Sequence, residues 1–215
     1  MGAHQELNDQ ELWLRAQSGD ASSFGLLYER HFPTVYNFCF RRTAEVAAAE
    51  DLASVVFVEA WRGMTGTALL QPSVLPWLLG IAHNLLRNQW RAARRRKAAL
   101  ARLPPLGDTP DHADKVVEKL DAEQRMRAVR AALARLPRRE QEVIELCVWA
   151  GLSAPEAADV LGVAVGTIHS RMHRGRARLQ SLIREAPSTS GHEYGRSTTV
   201  LLPKADVMEV SDGRA

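Results

Sequence analysis

The segment at 153–178, SAPEAADVLGVAVGTIHSRMHRGRAR, holds the residues whose types and spacing best suit contact with a nucleic acid. Ser153 suits a helix cap with Pro155 in the first turn, and that helix ends at Leu161-Gly162. After a three-residue turn a second helix is predicted from about Val165 to Arg178. Two helices joined this way need a small residue where they cross, a residue tolerating positive φ in the turn, and an apolar anchor on the second helix. Ala158, Gly162 and Ile168 supply these at the expected offsets. The outward face of the second helix then offers Gly166, Thr167, Ser170, Arg171 and Arg174, with His169, His173 and Arg176 alongside. Gly166 lets the backbone come close to DNA, and the helix N-terminus favours phosphate. Arginine takes guanine edges bidentately or contacts phosphate. A plain two-helix hairpin would not need the crossing residues, the turn glycine and the arginine face to coincide.

A second constellation lies on a helix opened by Pro76. His83, Arg87, Trp90 and Arg94 fall on one stripe, with Asn84, Asn88, Arg91 and Arg95 beside it. Guanidinium groups track phosphates, and an indole or amide stacks on or bonds an unpaired base. The competing reading makes Trp90 a core residue; Trp77, beside the core stripe, is read as structural. The sequence has no phosphate-binding glycine loop with lysine and no nucleophile elbow. It is therefore read as a non-enzyme, with no catalytic residue and no cofactor. His169 and His173 are four apart, a spacing that can bind metal, but no third ligand accompanies them and no metal site is predicted. Cys39 and Cys147 lie far apart without ligand neighbours and read as small buried thiols.

The elements that must position these residues are helices throughout. Asn8 with Glu11 forms a capping box, and Asp20 caps a second helix carrying Phe24, Leu27, Tyr28 and His31 at helical spacing. Pro33 is expected to open a third helix, with Val35, Phe38 and Cys39 inward, and Thr43 to cap a fourth that runs to Trp61 and ends at Gly63 and Gly66. A loop at about 63–74 leads to the Pro76 helix, whose core face is Leu78, Ile81, Ala82 and Leu85. Residues 103–115, LPPLGDTPDHADK, have the composition of a linker. Beyond them Met126, Val129, Leu133 and Leu136 mark another amphipathic helix, stopped by Pro137, and Val143, Ile144 and Cys147 mark the next.

The expected class is all-α, with two small helical domains joined by a flexible linker, the second a helix-turn-helix domain. The bounds are 1–97, a linker at 98–115, 116–184, and a mobile tail at 185–215 in which TTVLL at 198–202 suits a short strand. The linker leaves the placement of the two units to a partner. Net charge is only +3, but residues 84–107 hold seven bases and no acid, and 124–184 hold eleven arginines against five acids. Two basic blocks in a balanced chain point to two contacts with a polyanion. The polar, acidic start lacks a signal-peptide layout and no apolar run spans a bilayer, which suggests a cytoplasmic protein.

The stretch ALARLPRREQEVIELCVWAGLSAPEAADVLGVAVGTIHSRMHRGRARL resembles region 4 of the extracytoplasmic-function (ECF) sigma factors of bacterial RNA polymerase. AEDLASVVFVEAWR resembles their region 2.2, and LPWLLGIAHNLLRNQWRAARRR their regions 2.3 and 2.4. The resemblance covers about residues 10–184. It implies a promoter-specificity subunit that binds core polymerase at the β′ clamp helices and the β flap. Region 4 would read the −35 element, and region 2 with the loop at 63–74 would hold the −10 element and trap a flipped base. It also implies polymerase contact through Glu50, Asp51, Ser54, Val55, Val58 and Trp61, and it leaves room for an anti-sigma factor as a further partner. One departure stands out: a glutamine followed by an acid is usual where this chain has Ser54-Val55. The alternative function is a conventional helix-turn-helix regulator that acts without being a polymerase subunit.

Overall fold

The computed structural model describes residues 7–100 and 117–185, and every regular element among them is helical. Four helices build the first unit: α1 (Asp9–Gln17), α2 (Ala21–Thr43), α3 (Val46–Gly63) and α4 (Leu75–Leu100). The second unit holds α5 (Val117–Leu133), α6 (Arg138–Ile144), α7 (Ala154–Leu161) and α8 (Val165–Glu185). A π-helical turn, Glu145–Trp149, continues α6. The proline-rich stretch at 103–115 and the tail with 198–202 lie outside the described residues.

The caps form as the sequence predicts. Asn8 and Glu11 make a reciprocal capping box on α1, and the Asp20 carboxylate accepts from the Ser22 and Ser23 amides. Each cap satisfies amides that would otherwise be orphaned, a contribution of about 1 kcal/mol.

The expected break at Pro33 does not occur. α2 runs unbroken from Ala21 to Thr43 with Pro33 inside it. Pro33 and Glu29, whose carbonyl loses its amide partner, are both exposed, so water replaces the missing hydrogen bond. Continuity puts Leu27, His31, Val35, Phe38, Cys39 and Arg42 on one buried stripe. Nor does Thr43 cap the next helix. The chain turns through Ala44 in the left-handed conformation (φ 55°), and Glu45 precedes α3 without a side-chain cap.

The unit-one core packs Leu12 and Trp13 of α1 against Phe38 of α2, Val56 and Phe57 of α3, and Leu78, Leu79, Ala82 and Leu86 of α4. Ile81 and Leu85, expected in the core, are only half-buried at its margin. Val143, Leu146, Leu152, Ala157, Ala158 and Ile168 of the second unit belong to the same cluster of buried side chains. The two units therefore dock on each other directly, rather than waiting for a partner to place them.

Within the second unit α8 crosses α6 at Gly175. A Cβ there would stand 2.9 Å from Ile144 Cδ1 and 3.4 Å from Glu140 Cβ. Alanine gains about 1 kcal/mol of helix propensity over glycine, which offsets a small turn of the Ile144 terminus. A larger side chain has no such escape and carries an overpacking cost of about 1–3 kcal/mol. Thermal unfolding should therefore find Gly175→Ala close to the parent and Gly175→Leu clearly less stable. Equal melting points for parent and Gly175→Leu would contradict this crossing.

Candidate functional site

The helix-turn-helix is built as its residue types require. Ser153 and Glu156 form a capping box at the start of α7, with the Glu156 carboxylate accepting from the Ser153 amide at 2.7 Å. Gly162 ends α7 at φ 63°, a conformation costly for any residue with a Cβ. Ala158 and Ile168 are buried at the crossing. On α8 this leaves Gly166, His169, Ser170, His173, Arg174 and Arg176 exposed, with Thr167 and Arg171 half-buried. Further along, Arg178 pairs with Glu140 at 2.8 Å, while the exposed arginines Arg174 and Arg176 lie before it on the helix.

The structure divides the residues predicted on α4 between two faces. Asn84, Asn88, Arg91, Arg94 and Arg95 are exposed, and Arg87 is half-buried. His83 is buried, and Trp90 is half-buried between the guanidinium groups of Arg42 and Arg138, at 4.7 and 4.8 Å from its ring centre. Burial, reinforced by the charge of Arg42, pulls the His83 imidazole down to about 4. In this arrangement His83 is neutral at physiological pH, and Trp90 serves the contact between units.

Beside the exposed face of α4 lies a cavity of about 420 Å³, lined by Gln71, Ser73, Trp77 and Asn84 among others. Its wall is the loop between α3 and α4, and α1 ties both ends of that loop. At one end the Trp13 indole donates to the Thr67 carbonyl at 3.0 Å, and the Gln17 amide donates to the Met64 and Thr67 carbonyls. At the other, Asp9 accepts from the Ser73 hydroxyl at 2.8 Å and the Val74 amide at 2.9 Å. Asp9 also meets His31 at 2.7 Å and Arg30 at 2.6 Å. Burial alone would raise the Asp9 carboxyl, but these hydrogen bonds outweigh it and hold the group well below the usual carboxylate range. Trp77, read in the sequence as structural, packs edge-on against Trp13 at 4.9 Å and also lines the cavity.

On α3, all six residues assigned by resemblance to polymerase contact, Glu50, Asp51, Ser54, Val55, Val58 and Trp61, are exposed. Val55, Val58 and Trp61 keep 43%, 48% and 43% of their surface accessible. Neither valine is a core residue. Core positions on this helix fall to Ala49, Leu52, Ala53, Val56, Phe57 and Ala60.

Sequence reasoning missed the residues that join the units. Arg42 of α2 is fully buried and pairs with Glu145 of the π-turn, with its guanidinium also over the rings of Phe38 and Trp90. Desolvation lowers the pKa of Arg42 and pushes the Glu145 carboxyl up to about 7, against the downward pull of the guanidinium. Around this pair, Arg41 donates to the Trp149 carbonyl at 3.2 Å and Arg130 to the Thr43 carbonyl at 2.6 Å. Glu123 accepts from the Val46 amide at 3.0 Å, and Gln71 donates to Asp159 at 2.9 Å. A signal for Arg42 existed: it stands seven residues after Val35 on the core stripe of α2.

Comparison with known proteins agrees with this division. Residues 27–96 match the family model "Sigma-70 region 2", and residues 126–179 match "Sigma-70, region 4". The chain is 30% identical over 182 residues to the ECF RNA polymerase sigma factor SigM of Mycobacterium tuberculosis, covering 85% of this chain and 88% of that protein. It is 34% identical over 178 residues to the ECF RNA polymerase sigma factor BldN of Streptomyces coelicolor, covering 80% of this chain and 65% of that relative. The structure of CnrH in complex with the cytosolic domain of CnrY matches with a TM-score of 0.63 at 27% identity, over 82% of this chain and 97% of that one. With both regions matched in order and a relative covered nearly end to end, the chain belongs to the ECF sigma factors of RNA polymerase.

Proposed function

We propose that the chain docks on core polymerase through the α3 stripe, reads the −35 element with α8, and captures the opened −10 strand with α4 and the loop at 63–74. The observation that carries this reading is the exposed stripe Asp51, Ser54, Val55, Val58 and Trp61, an acid-edged apolar surface whose one described ring contact is Trp61 edge-on to Phe24 at 5.0 Å. A conventional dimeric regulator could use such a surface to pair with a second copy; the match of residues 27–96 to Sigma-70 region 2 favours polymerase as its partner. Specificity comes from two contacts of different kinds. Arginines and small residues on α8 meet duplex edges and phosphates. Amides on α4 beside a cavity of about 420 Å³ suit an unstacked base. No bond is made or broken; melting is driven by contacts that only the opened strand can form. The clamp helices and the flap of core polymerase are the assigned protein partners. An anti-sigma partner is consistent with the CnrH neighbour, which was solved with a domain of another protein bound.

Run-off transcription with core polymerase on genomic fragments tests the role as a whole. The chain should direct initiation at a restricted set of sites, and Asp51→Lys with Val58→Lys should weaken binding to core by about tenfold or more, as loss of a central contact does. Tight sequence-specific binding by the free chain, with no initiation on any fragment, would favour the conventional regulator.

Replacing Asn84 and Asn88 by Ala should separate melting from docking. Both side chains are exposed, so the fold and the affinity for core should hold. Permanganate reactivity of unpaired thymines should fall, and a template with a pre-melted −10 bubble should partly restore transcription. Normal melting by the double variant would move strand capture to other residues.

A further inference from the structure

Gly80 stands inside α4 at a place where the fold has no use for a glycine. A glycine within a helix weakens it relative to alanine, because the unfolded chain has more freedom to lose. Two structural needs ordinarily justify that penalty: a left-handed φ, or a neighbour too close for a Cβ. Neither holds here. The φ of Gly80 is not positive, and a Cβ built on it meets nothing within 4 Å. Gly175 on α8 is the contrast, since its Cβ would press on Ile144 at 2.9 Å. Gly25 on α2 is as free of contact as Gly80, but it is exposed to solvent. Gly80 is half-buried and lines the cavity of about 420 Å³ beside α4.

The residues around Gly80 give that gap a chemistry. Pro76, Trp77, Gly80, Ile81 and Asn84 line the cavity from α4, and their spacing puts them on one face of the helix. Trp77 and Asn84 bracket Gly80, about 10 Å apart along the axis. The loop supplies Gln71 and Ser73 to the same cavity, and Asp159 and Val160 of α7 complete its lining. A flat ring laid on the bare backbone at Gly80 meets an indole at one end and an exposed amide at the other.

We propose that Gly80 sets the size of base the strand-capture site accepts: the captured base lies against the helix in the space the missing side chain leaves, and that space admits a purine. This rests on the strand-capture reading above. A methyl group on Gly80 would stand in the middle of the face between Trp77 and Asn84. A single ring can sit to one side of such a methyl, whereas a double ring must cross it. The Asn84 amide points the same way, because its donor and acceptor match the N6 and N7 groups of adenine. Stability and capture are thus opposed at this position. Alanine would strengthen α4, and the same methyl would obstruct the base.

The test sets stability against base size in Gly80→Ala and Gly80→Leu. Thermal unfolding of the free chain should place Gly80→Ala about 2–4 °C above the parent. Gly80→Leu should unfold no lower than the parent, since its side chain grows into open space. Both variants should bind core polymerase as the parent does. Short fluorescein-labelled single strands of the −10 region, each lacking one base, are then bound to the holoenzyme. The captured position is the one where removing the base weakens the parent about tenfold. There the parent should favour a purine, and Gly80→Ala should shift the preference toward a pyrimidine by about tenfold. In Gly80→Leu, removing the base should change binding by less than about twofold, because the base is no longer seated. An unshifted preference in Gly80→Ala, or an undiminished penalty for base removal in Gly80→Leu, would overturn the proposal. So would a Gly80→Ala protein less stable than the parent, which would make the glycine a requirement of the fold. A parent holoenzyme for which no base in the strand matters would refute strand capture itself, and the proposal with it.

Discussion

The ion pair between Arg42 and Glu145 is the contact on which the arrangement of the molecule turns. Taking a guanidinium and a carboxylate out of water carries a heavy desolvation penalty, and their mutual attraction offsets it only where geometry and surroundings are right. Here the surroundings are Phe38 and Trp90, whose ring faces lie 5.5 and 4.7 Å from the Arg42 guanidinium. Such a pair adds little net affinity over apolar side chains of the same size. What it adds is register: with either partner alone, a buried charge is left uncompensated at a cost of about 3–5 kcal/mol. One orientation of the second unit on the first pairs the two charges through Arg42 Nη1, leaving Arg42 Nε and Nη2 buried without a hydrogen-bond partner, and the hydrogen bonds from Arg41, Arg130 and Gln71 and to Glu123 fall into place around it.

That register decides which functional residues are open. α4 carries two sets of nucleic-acid-type side chains on adjacent stripes, and docking divides them. His83 and Trp90 turn toward the second unit, while Asn84, Asn88, Arg91 and Arg95 stay in solvent. Charge makes the division sharper, because a neutral His83 tolerates the nearby Arg42 where an imidazolium would not. The Asp9 network works on the other side of the cavity. By holding Ser73 and Val74 while Trp13 and Gln17 hold the Met64–Thr67 end, α1 gives the loop a defined shape in the free chain. Pre-organisation of this kind lowers the cost of ordering on binding.

Much of this was open to reading from local chemistry. Helix caps at Asn8, Asp20 and Ser153, the turn at Gly162 and the anchor at Ile168 follow from side chains acting on neighbouring backbone, and all stand in the structure. The α3 stripe was named from family resemblance, and Val55 and Val58 are exposed on it. Pro33 misled because its preference for a first turn is real but weak against a long amphipathic stripe that tertiary packing rewards. The union of the units was hidden for a different reason. Arg42 is visible as a charge on a core stripe, but its partner is 103 residues away, and no local rule pairs them. The π-turn that carries Glu145 was equally hidden, since its extra residue shifts the helical phase on which periodicity depends.

The most direct measurement of the central claim is the distance between the units in the free protein. Labels at the exposed positions Gln10 and Gln180, introduced as cysteines in a Cys147→Ser background, report on it by single-molecule energy transfer. A docked chain predicts one narrow, high-transfer population for the free protein. A broad low-transfer distribution in the free chain would contradict a molecule held together by the Arg42–Glu145 pair.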